Sequence, residues 1–241
     1  MSFLMDNNPK KNRLLSALSV QDWHRWQSQL ESIEWPLGHV IYESGKTISH
    51  VYFPTTAIVS LSYVMESGAS AEIAVVGNEG VVGVSLFMGG GSTPSRAVVQ
   101  RKGHGFRLNA AALKIEIEKG GSVLNLLLRY TQALITQTSQ IAVCNRHHTL
   151  DQQLCRWLLF NLDRQESNEL VITQELIANM LGVRREGVTE AALKLQSAGV
   201  IKYARGRINV LNRPGLEKRT CECYGVVRRE YDRVVPKTIP I

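Results

Sequence analysis

The segment TQELIANMLGVRREGVTEAALKLQSAGVIKYARGRINV, Thr173 to Val210, leaves few folds open. Thr173 can cap a helix, because its hydroxyl accepts a backbone N–H that the first turn leaves unmatched. Leu176, Ile177, Met180 and Leu181 follow at helical spacing. After Gly182 comes a second apolar stripe of Val188, Ala191, Ala192 and Leu195. With Gln174 as first position, the fourth is apolar Ile177, the fifth is small Ala178 and the eighth is Leu181. The ninth is Gly182, where the chain must turn at positive φ. Val183 and Val188, tenth and fifteenth, face the first helix, and Ala191 is eighteenth. These offsets predict a helix-turn-helix in which the second helix crosses over Ala178. The competing reading is a helical hairpin inside a larger core. The outward positions, Arg184, Arg185, Glu186, Thr189 and Glu190, argue against it, since a core would need apolar side chains there. KYARGRINV then alternates like a β-hairpin and supplies a wing.

Charge points the same way. The 241-residue chain carries 28 Lys and Arg against 21 Asp and Glu, a net charge of +7. Nine of the basic residues, against four Glu, lie between Thr173 and Arg219, so most of the excess sits in under a quarter of the length. A basic wing beside a recognition helix attracts phosphates in a salt-dependent way. Double-stranded DNA is therefore the expected partner. Arg184, Arg185, Glu186, Thr189 and Glu190 are expected at base edges, and Thr173, Gln174, Lys202, Arg205 and Arg207 at phosphates.

Upstream the period changes twice. Residues 12 to 33 read as short helical pieces, with Ser19 and Asp22 as an N-terminal cap. From Pro36 to about Leu108, HVIYESGK, HVYFP, AIVSLSYVMESG, AEIAVVGNEG, SRAVVQRKG and HGFRL are short β-rich runs closed by Gly, Pro or Ser/Gly, as in a sandwich or barrel. Ser122 to His148 then holds no Gly or Pro. There Leu124, Leu127, Thr131, Leu134, Thr138, Ile141 and Asn145 step by three and four, and Leu128, Ile135 and Ala142 widen the stripe. About three heptads are enough to join two chains, while a helix packed on its own domain is the alternative. Thr149 and Gln152 form a capping box that starts a new helix, so a hinge is expected at His148–Thr149. The expected divisions are a β-rich domain over 1–121, a dimer helix over 122–148 and a DNA-binding domain over 149–241.

A capping helix, a short-stranded β-roll, a long helix and a winged helix-turn-helix, in that order from Leu14 to Val234, resemble the Crp/Fnr family of bacterial transcription regulators. The tail CECYGVVRREYDRV is similar to that of a subgroup whose effector is undefined. The resemblance implies an α+β chain: an N-terminal double-stranded β-helix (jelly-roll) of the cyclic-nucleotide-binding type, a long dimerisation helix and a C-terminal winged helix-turn-helix. It also implies a homodimer that binds palindromic DNA and contacts RNA polymerase. Two residues depart from the family pattern. Glu190 stands where Arg is familiar, and Arg184 replaces the usual Ser or Thr cap, so the family's best-known operator is not assumed.

The same resemblance frames the sensor. Cyclic-nucleotide binders of the family place a Gly-Glu turn about ten residues before Arg followed by Ser or Thr; the Glu takes the ribose, and the Arg and a helix N-terminus hold the phosphate. Here the candidate pocket residues are Glu79, Gly80, Ser95 and Arg96. Arg96 follows Glu79 by seventeen positions, Gly89, Gly90 and Gly91 intervene, and the Ser–Arg order is reversed. Cyclic AMP is therefore not expected; another small effector, or none, is. A ligand- or redox-sensing module with cyclic-nucleotide binding as its main activity is the alternative reading.

No metal or cofactor is expected. The first cysteine is Cys144, too late for an N-terminal cluster of thiolates. Haem ligation by His104, His147 or His148 stays open, beside the plainer reading of His147–His148 as a solvated pair at a helix end. Cys221 and Cys223, read as strand residues, serve as a redox handle or as reduced thiols in a small core. GxSxG, P-loop and HExxH motifs are absent, so catalysis is not expected. An architectural DNA binder would lack the sensing roll. The start MSFLMDNNPKKN shows no apolar h-region, and no run of roughly 18 apolar residues occurs, so a cytoplasmic setting without a membrane is the expectation.

Overall fold

Capping side chains set where the first elements begin. In the computed structural model, which describes residues 8–235, a 3-10 turn at Pro9–Lys11 leads to α1 (Arg13–Ser16) and α2 (Val20–Trp26). Asn12 caps α1 by accepting from the Leu14 and Leu15 amides, and Ser19 caps α2 by accepting from the Asp22 amide at 3.1 Å. The helical reading stops short of Ile33, which lies in β1 (Glu31–Trp35). The strand wins because its backbone pairs antiparallel with a later strand, which helical spacing alone cannot reveal. The first seven residues of MSFLMDNNPKKN, and the outer ends of the divisions expected over 1–121 and 149–241, lie outside the described residues.

The strands β2 (Val40–Tyr42), β3 (His50–Pro54), β4 (Ile58–Val64), β5 (Ser70–Val76), β6 (Arg96–Arg101) and β7 (Gly103–Asn109) follow. They form one sheet ordered β1-β7-β3 and another ordered β2-β6-β4-β5. In β4 the alternation of Val59 and Leu61 with Ser60 and Ser62 does not become alternating burial, because Ile58 to Ser62 are all buried. Next come α3 (Ala110–Lys119), not anticipated from the sequence, and α4 (Ser122–His147). The remaining elements are α5 (Leu150–Leu162), β8 (Glu169–Val171), α6 (Gln174–Leu181), α7 (Arg185–Ser197), β9 (Ile201–Ala204), β10 (Arg207–Val210), α8 (Arg213–Arg219) and α9 (Glu222–Val234). No described helix is long and apolar enough to cross a membrane.

The chain divides into two compact units. The first comprises, among the described residues, 8–61, 76–136 and 229–235. Its core joins Val51, Phe53, Val82, Val99, Phe106 and Leu108 of the roll to Leu14, Leu15, Trp26, Leu113 and Tyr130 of the helices, all buried. Each such aliphatic or aromatic side chain contributes about 1.5–3 kcal/mol on leaving water. A polar clamp ties α2 to α3 and to the start of α4. Arg25 donates to Glu116 at 3.1 and 3.0 Å and pairs with Asp22, and Ser122 donates to Asp22 at 2.6 Å.

The second unit comprises Ser62–Val75 and Gln137–Arg228. Several of its buried polar groups are matched one to another. Trp157 Nε1 donates to Glu72 at 3.0 Å, Gln137 donates to the Val75 carbonyl at 3.2 Å, and Arg164 donates to Gln137 at 3.3 Å. Thr149 and Gln152 close the capping box at the head of α5, with Thr149 N donating to Gln152 Oε1 at 3.1 Å. Strands β8, β10 and β9, in that order, make a three-stranded antiparallel sheet beside α6 and α7.

Candidate nucleic-acid interface and effector pocket

The helix-turn-helix is built from side chains that alternate between packing and presentation. Thr173 caps α6 by accepting from the Leu176 amide at 3.2 Å. Gly182 ends α6 in the left-handed region at φ +67, a conformation that a Cβ would strain. Ile177, Ala178, Leu181, Val188, Ala191, Ala192 and Leu195 are buried between the helices and their neighbours. Arg184 takes the N-cap position of α7 and makes no side-chain cap bond. Arg184, Arg185, Glu186 and Glu190 are exposed, and Thr189 is half-buried.

Two of these groups are already engaged. The Thr189 hydroxyl sits 2.8 Å from Gln174 Oε1 and 3.1 Å from the Arg185 carbonyl, so it locks α6 to α7 and commits the Gln174 side chain. Glu190 pairs with Lys194 at 2.9 Å, and Lys194 also lies 3.6 Å from Asp151. Arg184, Arg185 and Glu186 therefore form the open edge of the first turn.

The wing is β9, β10 and the tight turn between them. Arg205 adopts φ 51 and Gly206 φ 73, and two successive positive φ values match the twist that a two-residue hairpin needs. Arg205 is thrust to the tip, and Lys202 is exposed on β9. Arg207 is exposed as well but pairs with Glu169 of β8 at 3.2 Å. Arg213, just beyond, belongs to the fold. It pairs with Asp163, donates to Glu217 at 3.0 Å and donates to the Tyr224 hydroxyl at 3.0 Å.

On α4 the stripe expected to join two chains is largely covered by this chain itself. Leu127, Thr131, Leu134 and Ile141 are buried, and Leu124 and Thr138 are half-buried. The open face is the flank that widened the stripe: Leu128 at 47 %, Ile135 at 52 % and Val143 at 49 % exposure, with Ala142 beside them. Periodicity shows that a helix has an apolar stripe; it does not show which edge the chain's own core takes.

In the roll, the candidate pocket residues have separate partners. Glu79 is buried and accepts from the Gly77 amide at 3.2 Å. Arg96 Nε lies 2.9 Å from Glu43. Ser95 is buried with its hydroxyl 3.0 Å from Thr93 Oγ1. Gly80 lies so close to α4 that a Cβ there would sit 2.5 Å from the Tyr130 ring. The turn is clamped from its other side too. Asn12 Nδ2 donates to the Gly80 carbonyl at 2.8 Å and the Arg13 amide to the Asn78 carbonyl at 2.7 Å.

Cys221 and Cys223 do not lie on a strand. Cys221 precedes α9 and Cys223 lies in its first turn, because the CECYGVV register continues into an amphipathic helix. Nor is His148 a solvated end group, since its Nδ1 lies 3.6 Å from Cys223 Sγ.

A β-roll preceding a winged helix-turn-helix defines a DNA-binding regulator with a sensor fold. Residues 32–119 match the cyclic nucleotide-binding domain, and residues 152–219 match the Crp-like helix-turn-helix domain, together more than half of the chain. The chain belongs to the Crp/Fnr family of transcription regulators. No curated protein matches its sequence. Among solved structures, a crp/fnr-family protein from Eubacterium rectale is similar in fold, at 19 % identity and TM-score 0.69 over 85 % of this chain and 96 % of that one. FixK2 from Bradyrhizobium japonicum is similar at 16 % identity and TM-score 0.66, covering 80 % and 98 %. A CRP-family transcriptional regulator from Thermus thermophilus is similar at 18 % identity and TM-score 0.66, covering 78 % and 95 %.

Proposed function

We propose that the chain acts as a homodimer that reads an inverted-repeat site in duplex DNA, with α7 in the major groove and the wing on the flanking backbone. The observation that carries this reading is the exposed Arg184–Arg185–Glu186 edge at the first turn of α7, together with Arg205 exposed at the tip of the wing. An arginine fork can donate to guanine O6 and N7, and a carboxylate can accept from cytosine N4. Lys202, Arg205 and Arg207 are the phosphate contacts of this reading, with the backbone amides of Thr173 and Gln174 at the start of α6, since their side chains are engaged within the fold. The exposed Leu128–Ile135–Ala142 face of α4 is offered as the seam between two copies. The segments 1–121, 122–148 and 149–241 serve as sensor, dimer helix and reader. Contact with RNA polymerase follows from family membership, as does a cytoplasmic place of work. The activity is binding rather than catalysis.

The sensor reading is that the roll does not take cyclic AMP. Tyr130 stands against Gly80, and Arg96 is matched by Glu43. The phosphate cradle of a cyclic nucleotide therefore lacks its open backbone, and its guanidinium faces an exposed carboxylate that competes weakly with a phosphate.

Selection of bound sequences from a random duplex pool tests the DNA reading. The expected result is two inverted half-sites with centres about one helical turn, ~10 bp, or a multiple of it apart. Recovery of a single half-site, or binding equal on all sequences, would overturn it.

A further inference from the structure

Four side chains far apart in the sequence converge in the second unit: Cys144 near the end of α4, His148 one turn later, and Cys221 and Cys223 at the start of α9. Their ligand atoms all lie within 4.8 Å of one another. Cys144 Sγ lies 3.4 Å from Cys221 Sγ, and Cys223 Sγ lies 3.6 Å from His148 Nδ1. A tetrahedral zinc ion with ordinary bond lengths would hold two sulfurs about 3.8 Å apart, and a sulfur and an imidazole nitrogen about 3.6 Å apart. We propose that Cys144, His148, Cys221 and Cys223 form a Cys3His site for one divalent zinc ion.

Three further observations fit that donor set and not a cluster of plain buried thiols. First, the imidazole is oriented for ligation. His148 Nε2 lies 3.2 Å from a Glu222 carboxylate oxygen, which accepts the Nε2 proton and leaves the Nδ1 lone pair aimed at the sulfurs. A carboxylate behind a ligating histidine is the usual outer partner at such sites. Second, the guanidinium of Arg156 is 2 % exposed and bears on Cys144, yet makes no ion pair among the described residues. Its one hydrogen bond is to Asn145 at 3.4 Å, and its Nε and Nη1 have no partner there. A buried cation without a counter-charge is costly. Three thiolates on a divalent ion carry one net negative charge, which is the missing partner. Third, Cys221 and Cys223 stand at the N-terminus of a 13-residue helix, where the unmatched amides and the helix dipole accommodate the negative charge of a metal–thiolate centre.

Burial works against thiolate when no ion is present: it pushes the Cys223 thiol up to about 11 and the Cys144 thiol further in the same direction. A metal reverses this by displacing the thiol protons. Soft thiolates with one imidazole in tetrahedral array select zinc among the common divalent ions. Such a site would tie the last turn of α4 and the His148–Thr149 joint to the C-terminal helix, within the unit that carries the DNA-reading elements. The proposal does not rest on the DNA reading.

The test is the metal content and metal affinity of the purified full-length chain. Elemental analysis should find one equivalent of zinc in the native chain and in Cys155→Ala, whose thiol lies outside the cluster. Cys144→Ser and Cys221→Ser should lose it. Cobalt(II) replacing zinc in the native chain should give the intense thiolate charge-transfer absorption of a tetrahedral sulfur site, which needs no variant to fold. Glu222→Gln changes an exposed residue and should weaken zinc binding about 10–100-fold in a chelator competition. Three results would overturn the proposal: a native chain without zinc that gives no such cobalt absorption, zinc retained in Cys221→Ser, or a Cys144–Cys221 disulfide in metal-free chain isolated under reducing conditions.

Discussion

Arg185 and Arg205 present the same chemistry at two sites, and position separates their roles. Arg185 stands in the first turn of α7, the part of a recognition helix that reaches base edges. Arg185→Ala should cost ~1–3 kcal/mol at one G·C pair and relax preference there, as read by titrations on matched and mismatched duplexes. Arg205 is held at the wing tip by its positive φ. Arg205→Ala should weaken all sequences alike and lower the slope of log affinity against log salt by about one. Arg207 is the subtler case, because Glu169 competes with phosphate for it. Glu169→Gln releases it and removes a negative charge, so DNA should bind more tightly, by up to about 1 kcal/mol for an exposed pair, in a direct titration. In the roll, Gly80→Ala should destabilise the chain by about 1–3 kcal/mol in urea unfolding, because the added methyl meets the Tyr130 ring. An unchanged midpoint would mean that Tyr130 swings aside and the cradle opens.

At the scale of elements, α4 was legible as a helix and not as a seam. The heptad steps through Leu127, Leu134 and Ile141 are real, but the chain's own core takes them. Leu128→Glu with Ile135→Glu puts charges into the open face and should yield monomers in sedimentation while leaving the chain folded. A dimer that survives would place the seam elsewhere. The clamp of α2, α3 and α4 makes a pH prediction. The Arg25 hydrogen bonds hold the Glu116 carboxyl below its ordinary 4.5. A depressed carboxyl contributes stability that is complete above the unfolded value and is lost as pH falls through the folded one. Melting temperature should therefore fall as pH drops below about 4.5, and fall less in Glu116→Gln. Equal pH dependence in the two chains would show that the acid sensitivity comes from other carboxyls.

At the scale of the whole molecule, the sensor reading predicts that cyclic AMP at millimolar concentration shifts neither melting temperature nor DNA affinity. A ligand bound only by the native state must raise the melting point, so a saturable rise would show a working cradle. How much of this was written in the sequence differs from one part to the next. The helix-turn-helix, its cap at Thr173, its turn at Gly182 and the capping box at Thr149 depend on contacts within a few residues, and local spacing determined them. The strands from Val40 to Asn109 were legible for the same reason: turn residues and β-branched runs act locally. What lay beyond the sequence depends on contacts between distant segments. Ile33 became a strand residue because Gly105 pairs with it, and the open face of α4 was decided by what covers its other side. Tyr130 reached Gly80 across 50 positions, and Cys144 reached Cys221 across 77. Spacing along the chain carries no distance in space once the chain has turned several times, so tertiary packing alone brought these groups together.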